Sequence, residues 1–411
     1  MWDTFKKLAA SLGPGLITAA LVLGPGSVTT VSKTGALYGY SLIWVVAGAG
    51  VLMGVYVVMS ARIGTVTDKT LLGVVSEHYG RWLAVIMGIS SFLVCCSFQA
   101  GDNQGVSISM QSIFADFWPQ ADSMTVIKAF SAGFTLISLA LILSAPSLYK
   151  VIERLMTVLV AVMIICFVAN LFPARPSAGG IARGLIPSMA GAPPALVVPL
   201  VATTFSVIAA LYQSYMVQNK GWKIEDYRKG IWDSIVGIAV LTGLSVVIMI
   251  TAAAVLHPRG IQVQTAGDMA RQLEPLLGKT AKWMFCVGLW GASFSSLMAN
   301  AIVGGGLLAD SLGLGSRFES RGVKTCTVIV MLVGAAVVQF FARHMLDLIV
   351  VAQAITILFV PLCALMLLLV ANNRKVMVEH VNRWGMNLLG ILGLLTVSLL
   401  GAFQFWRLIH R

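Results

Sequence analysis

Three short stretches carry the residue types that could hold or move a solute. The first is Gly24-Pro25-Gly26-Ser27, which interrupts a long apolar run near its middle. Proline lacks a backbone N–H and its ring collides with the preceding turn, while glycine accepts non-helical dihedrals. A helix through these residues should come apart. Backbone groups freed in hydrocarbon are costly unless they face a cavity or a ligand. The quartet therefore reads as a binding site built from the carbonyls of Leu23 and Gly24, the backbone at Gly26 and the Ser27 hydroxyl. The alternative is a plain kink packed against neighbouring helices, since Gly13-Pro14-Gly15 shows the same triplet at a helix entry. The second stretch is Thr203-Thr204-Phe205-Ser206. Such hydroxyls often bond back to a carbonyl four residues earlier and do nothing else. Their place at the start of the chain's second half makes Thr203, Thr204 and Ser206 candidates. The third is Gln99-Ala100-Gly101-Asp102-Asn103-Gln104, with the one carboxylate expected well inside an apolar run. A charge at that depth costs about 2.5–3.5 kcal/mol on insertion scales, so its default reading is functional. Asp102 is a candidate proton or cation group, or a gate. The alternative is that the helix ends here and Asp102 meets water.

The remaining polar residues carry less. His78, His257, His344, His380 and His410 all fall in loops or at segment ends, which argues against a histidine proton relay. No His, Cys, Asp or Glu cluster has metal-ligand spacing. Cys95, Cys96, Cys166, Cys286, Cys326 and Cys363 lie in or beside apolar runs, and no structural disulfide is expected. Ser295, Ser296, Asn300, Gln339 and Gln353 read as interhelical hydrogen bonders. Gly50 and Gly54 read as a close helix contact. No nucleotide loop, nucleophile elbow or metalloprotease motif is present. The chain is not read as an enzyme and no cofactor is expected.

The elements that must position these residues follow from composition. Of 411 residues, 58% are hydrophobic and 11% charged, against about 25% charged in ordinary globular proteins. Mean hydropathy is +0.89. So few charges cannot coat soluble domains, and the chain reads as a polytopic all-α membrane protein. The net charge of +12 sits in short loops, where topology and anionic headgroups explain it better than nucleic acid does. A span needs about 20 apolar residues. Eleven such runs are expected at 12–31, 41–61, 82–105, 126–145, 152–172, 196–217, 234–256, 281–306, 325–341, 346–370 and 386–407. Most of the 28 Lys and Arg fall on one side if the N-terminus is cytoplasmic and the C-terminus outside. Eleven splits as five, five and one, and an odd repeat length inverts the second half. Inverted repeats that each open on an interrupted helix are a transporter signature. The expected division is a first repeat over 1–172, an outer connecting loop over 173–195, a second repeat over 196–370, and a cytoplasmic loop with the last helix over 371–411.

Several segments resemble the NRAMP family of divalent-metal transporters. Gly13-Pro14-Gly15-Leu16, Gly24-Pro25-Gly26-Ser27 and Gly35-Ala36-Leu37-Tyr38-Gly39-Tyr40 have the order and spacing of that family's first helix. Tyr149 to Glu153, Gly184 to Ser188, Ser293 to Ser296, and Gln353 with Pro361 resemble its later segments. The resemblance implies a LeuT-like fold of two inverted five-helix repeats plus one helix, in the cell membrane. The cargo is expected at mid-membrane between the Gly24–Ser27 break and the Thr203–Ser206 segment, with Gln353 adding an amide. Departures fall on the functional positions. The family's Asp-Pro-Gly-Asn has Gly24 for its Asp and Ser27 for its Asn. Its Met-Pro-His has no counterpart around Val207-Ile208-Ala209. Its two acids in the third helix align with Gln99 and Asp102.

Those departures shape the expected cargo. Soft transition metals favour sulfur or imidazole, and hard ions favour oxygen. Gly24, Ser27 and Gln353 would offer a metal only carbonyl, hydroxyl and amide oxygens. A divalent cation such as magnesium is expected ahead of manganese or iron, moved by alternating access with weak or no proton coupling. A small amino or organic acid, held by a half-helix N-terminus, is the alternative cargo. A transport-inactive membrane sensor is the second alternative. Expected partners are membrane lipids and the small cargo, with no nucleic acid, and a monomer is expected.

Overall fold

The computed structural model describes residues 13, 22–120, 122–144, 146–189, 192–317, 319–341 and 345–410. The described residues are helical with connecting turns, and no strand occurs among them. The long helices are α1 (Pro25–Tyr38), α2 (Ile43–Val66), α3 (Arg81–Phe114), α4 (Ser123–Ser144) and α5 (Pro146–Ala174). They continue with α6 (Pro194–Thr204), α7 (Val207–Asn219), α8 (Tyr227–Val255), α9 (Ala281–Ser311) and α10 (Arg321–Phe341). The last are α11 (Met345–Thr356), α12 (Val360–Asn372) and α13 (Trp384–Ile409).

Ten of the eleven expected runs overlap these helices, with ends displaced by up to nine residues at Phe114 of α3 and with 196–217 and 346–370 each divided in two; most of the first half of 12–31 lies outside the described residues. By length and composition alone, eight described helices can cross a membrane, or nine with a bent pair taken as one span. The full count of eleven is not reached on that criterion. In α5 the apolar part is the shorter Val158–Ala174.

Small residues set how closely these helices approach, since van der Waals packing holds helices together in lipid. Gly50 of α2 faces Thr242 of α8, and Gly54 faces Ile238 on the same helix, which is the close contact expected from their spacing. A Cβ on Gly64 would stand 2.6 Å from the Ser214 carbonyl of α7. At the centre, a Cβ on Gly105 of α3 would stand 2.5 Å from both Pro25 Cβ of α1 and Ser293 Oγ of α9. Only a bare backbone at 105 lets α1 begin between α3 and α9. The scaffold is graded: 72% of the apolar window of α2 is buried inside the protein, but 28% of that of α13. On α13, Leu388, Leu392, Leu395 and Leu399 stand exposed at helical spacing, an apolar stripe for lipid. All six cysteines carry free thiols.

Candidate functional site

Three chain breaks meet at one place. Val22 is helical, Leu23 and Gly24 are not, and α1 begins at Pro25. Gly24 is extended (φ −95°, ψ −173°) and Pro25 occupies the first turn of α1, where its missing N–H costs nothing. The backbone at the motif is thus non-helical, as its glycines and proline dictate. The second break separates α6 from α7 at Phe205 (φ −95°, ψ 70°) and Ser206 (φ −82°, ψ 89°). No glycine or proline stands in it. Phe205 is fully buried against Tyr56 of α2, with ring centroids 5.1 Å apart, and against Gly393 of α13. That packing holds the non-helical backbone. The third break bends α11 against α12 by 44° at Ile357–Phe359. The run 346–370, expected as one continuous span, is therefore two helices. Pro361 stands in the first turn of α12, where it has no N–H to donate back to the preceding turn, so α11 cannot run through it unbroken.

Between these breaks lies a small cavity of about 20 Å³, room for about one water. Gly24, Gly26 and Ser27 line it from α1 and its cap, Thr203 and Ser206 from the second break, and Gln353 from α11. The remaining polar lining comes from Asp102 of α3 and from Ser296 and Asn300 of α9. Val22 and Phe98 complete the wall. Ser27 Oγ lies 2.8 Å from Thr203 Oγ1 and donates to the Val22 carbonyl at 3.0 Å, so one hydroxyl links two broken helices. Gln353 sits against Gly26, where any Cβ would collide with its amide. Its Oε1 is buried with no hydrogen-bond partner. A buried acceptor left so calls for a water or an ion.

Asp102 is 4% exposed and lies mid-way along α3, which continues to Phe114. The alternative that the helix ends at this residue is excluded. Its Oδ2 accepts from Asn300 Nδ2 at 2.7 Å, and Asn300 Nδ2 also reaches Ser296 Oγ at 3.1 Å. No ion pair to Asp102 forms among the described residues. A Cβ built on Gly24 would stand 3.2 Å from Asp102 Oδ1. The carboxylate from α3 therefore fills the space into which a side chain at position 24 would project. It also faces the N-terminus of α1, whose dipole favours negative charge. Gly105, one turn on from Asp102, makes this approach possible.

Of the expected site residues, Gly24, Gly26, Ser27, Thr203, Ser206, Gln353 and Asp102 come together. Leu23 and Thr204 are buried at the breaks, but their side chains do not line the cavity. Gln99 does not line it either, and packs instead on Gly334 of α10 with both amide atoms unpartnered. Sequence reading missed Ser296 and Asn300 as site residues. Their signal was two polar residues one helical turn apart inside an apolar run. Among the described residues the lining holds no sulfur and no imidazole.

The profile of the family described as natural resistance-associated macrophage protein-like matches residues 15–407. The chain belongs to the Nramp family. Among curated Nramp relatives, the divalent metal cation transporter MntH of Chromohalobacter salexigens is 27% identical over 91% of this chain and 86% of its own. The protein of that name from Caldanaerobacter subterraneus subsp. tengcongensis is 24% identical over 94% and 90%. Among solved structures, the Eremococcus coleocola manganese transporter superposes with TM-score 0.77 at 17% identity, over 97% of this chain and 86% of that one. MhsT in complex with L-phenylalanine superposes with TM-score 0.62 at 17% identity, over 94% and 98%. These likenesses establish the LeuT-like fold, and the family is one of transporters rather than enzymes.

Proposed function

We propose that this Nramp protein is a secondary transporter of a hard divalent cation, magnesium ahead of manganese or iron. The cation would bind between the broken helices and cross by alternating access. One observation carries the reading: the cavity at the breaks is lined by oxygen donors around a single carboxylate, Asp102. Magnesium sheds its water reluctantly and takes one or two carboxylates while keeping several waters. Asp102, the unpartnered Gln353 Oε1 and the hydroxyls of Ser27, Thr203, Ser206 and Ser296 suit such an ion. Soft-metal selection would call for sulfur or imidazole, and the described lining offers neither. The weak proton coupling follows from the same set. With Asp102 facing the cargo, the lining keeps no second acid among the described residues to carry a proton. An organic acid fits less well, because its carboxylate would enter beside that of Asp102.

The cavity's present size admits about one water, so a hydrated ion enters only when the broken helices separate. Lys33 of α1 bonds Asp347 of α11 at 2.6 Å, which ties two of the pieces that must part. In this reading residues 1–172 and 196–370 are the inverted repeats, joined through 173–195 and followed by 371–411, with the N-terminus cytoplasmic and the chain working as a monomer.

The test is flux into proteoliposomes of purified protein, under gradients of magnesium, manganese or calcium. Magnesium flux exceeding manganese flux, and little altered by collapsing a proton gradient, is the expected result. Correctly inserted protein that moves no divalent cation, or that prefers manganese, overturns the proposal.

A further inference from the structure

A second cavity, of about 730 Å³, shares no lining residue with the first and opens between α2, α8 and the chain entering α13. Its walls are apolar: Val51, Val55 and Val58 of α2, Ile231 and Ile235 of α8, and Met386 of α13. Val51 and Ile235 are 56% and 43% exposed, so the walls continue onto the lipid-facing surface. One end is basic. Arg62, Arg228, Arg383 and His380 line it, with Glu379 the one carboxylate of the lining among the described residues.

Arg62 is the unusual member. It is 6% exposed, yet its guanidinium bonds only neutral acceptors. Nε donates to Tyr227 Oη, Nη1 to Asn382 Oδ1, and Nη2 to the carbonyls of His380 and Val381. Among the described residues no carboxylate pairs with Arg62, Arg228 or Arg383. A buried cation with no counter-charge is costly, and it marks a place where an anion is missing. Depth is set by tryptophan. Trp232 and Trp384, each one residue from a lining residue, are 67% and 81% exposed. Such exposed indoles mark the headgroup level of a bilayer.

We propose that this groove binds one anionic phospholipid. The phosphate sits at Arg228 and Arg383 over the buried charge of Arg62, and an acyl chain follows the valine and isoleucine wall into the membrane. Arginine suits this task because its planar fork meets phosphate oxygens in pairs. The occupant is a lipid rather than a free anion because the basic end opens onto an apolar wall that a free anion would leave bare. A lipid so placed joins α2, α8 and α13, where Arg62 already ties Tyr227 to the 380–382 segment.

The experiment is native mass spectrometry of the full-length protein in detergent, titrated with phosphatidylglycerol or phosphatidylcholine. One phosphatidylglycerol is expected to be retained, more tightly than phosphatidylcholine. Each basic residue near an anionic surface favours binding about fivefold, so Arg228→Ala with Arg383→Ala should weaken retention about 25-fold. Both residues are exposed, so the variant should melt with the parent in lipid-free detergent. Arg228→Lys with Arg383→Lys should keep the preference for phosphatidylglycerol. Arg317→Ala with Arg321→Ala, exposed basic residues outside the groove, should bind like the parent. Equal retention of the two lipids, or parent-like retention by the alanine pair, overturns the proposal. Displacement of the lipid by millimolar inorganic phosphate assigns the groove to a free anion and overturns it equally.

Discussion

Exchanging the residues at positions 24 and 102 probes the site most sharply. The two positions meet across the cavity, with a Cβ at 24 standing 3.2 Å from Asp102 Oδ1 and 2.8 Å from Ser296 Oγ. In Gly24→Asp, a second carboxylate arrives about 4 Å from the first, where like charges at an effective dielectric near 20 repel by about 4 kcal/mol. That is about three orders of magnitude in any step that needs both acids ionised. The variant should hold a proton between the two acids and lose most magnesium flux. Asp102→Gly removes the charge and should lose flux as well. The combined exchange keeps one carboxylate and the same number of side-chain atoms. What remains against it is glycine in the middle of α3, roughly 1 kcal/mol against alanine, or about fivefold. Magnesium flux in proteoliposomes, normalised to inserted protein, should return to within about tenfold of the parent by this reckoning. A double variant no better than the poorer single one, or an Asp102→Gly protein that transports like the parent, refutes the reasoning.

Other perturbations follow from the same contacts. Gly26→Ala drives a methyl group into the Gln353 amide and should cost about 1–3 kcal/mol of stability by overpacking, read as a lower Tm together with lost flux. Gly105→Ala forces Pro25 and Ser293 apart and should cost a similar 1–3 kcal/mol; its Tm is the readout. Ser27→Ala removes the hydroxyl link to Thr203, a loss of about 1 kcal/mol, and Thr203→Ala in the same protein should add little, as a double-mutant cycle on Tm would report. Lys33→Met breaks a partly exposed ion pair between α1 and α11 and should change Tm by less than about 1 kcal/mol equivalent, with its effect appearing instead in the rate of opening measured by site-directed fluorescence.

What the chain reveals before folding depends on how local the cause is. The break at Gly24–Pro25 is written in the backbone chemistry of its own residues, so its position is legible. The break at Phe205–Ser206 is not, because what holds it is a ring buried against Tyr56 and Gly393, far along the chain. The α11–α12 bend lies in an apolar run, and Pro361 was its only local sign. Asp102 was conspicuous as a carboxylate in an apolar run, but its partner Asn300 stands 198 residues away. Its approach to position 24 depends on Gly105, which looked like any other small residue in a membrane helix. Most helix positions among the described residues were legible, since a span demands its own length of apolar sequence. Gln99 shows the converse: alignment with a family acid suggested a role, and packing against Gly334 keeps it out of the cavity lining.

The most direct measurement is calorimetric titration of magnesium into purified protein, parent against Asp102→Asn. The amide keeps the shape of the carboxylate and one oxygen to accept from Asn300, while removing the charge. The account predicts a binding isotherm for the parent and none for the variant at the same concentrations. An Asp102→Asn protein that binds magnesium with the parent's Kd contradicts it.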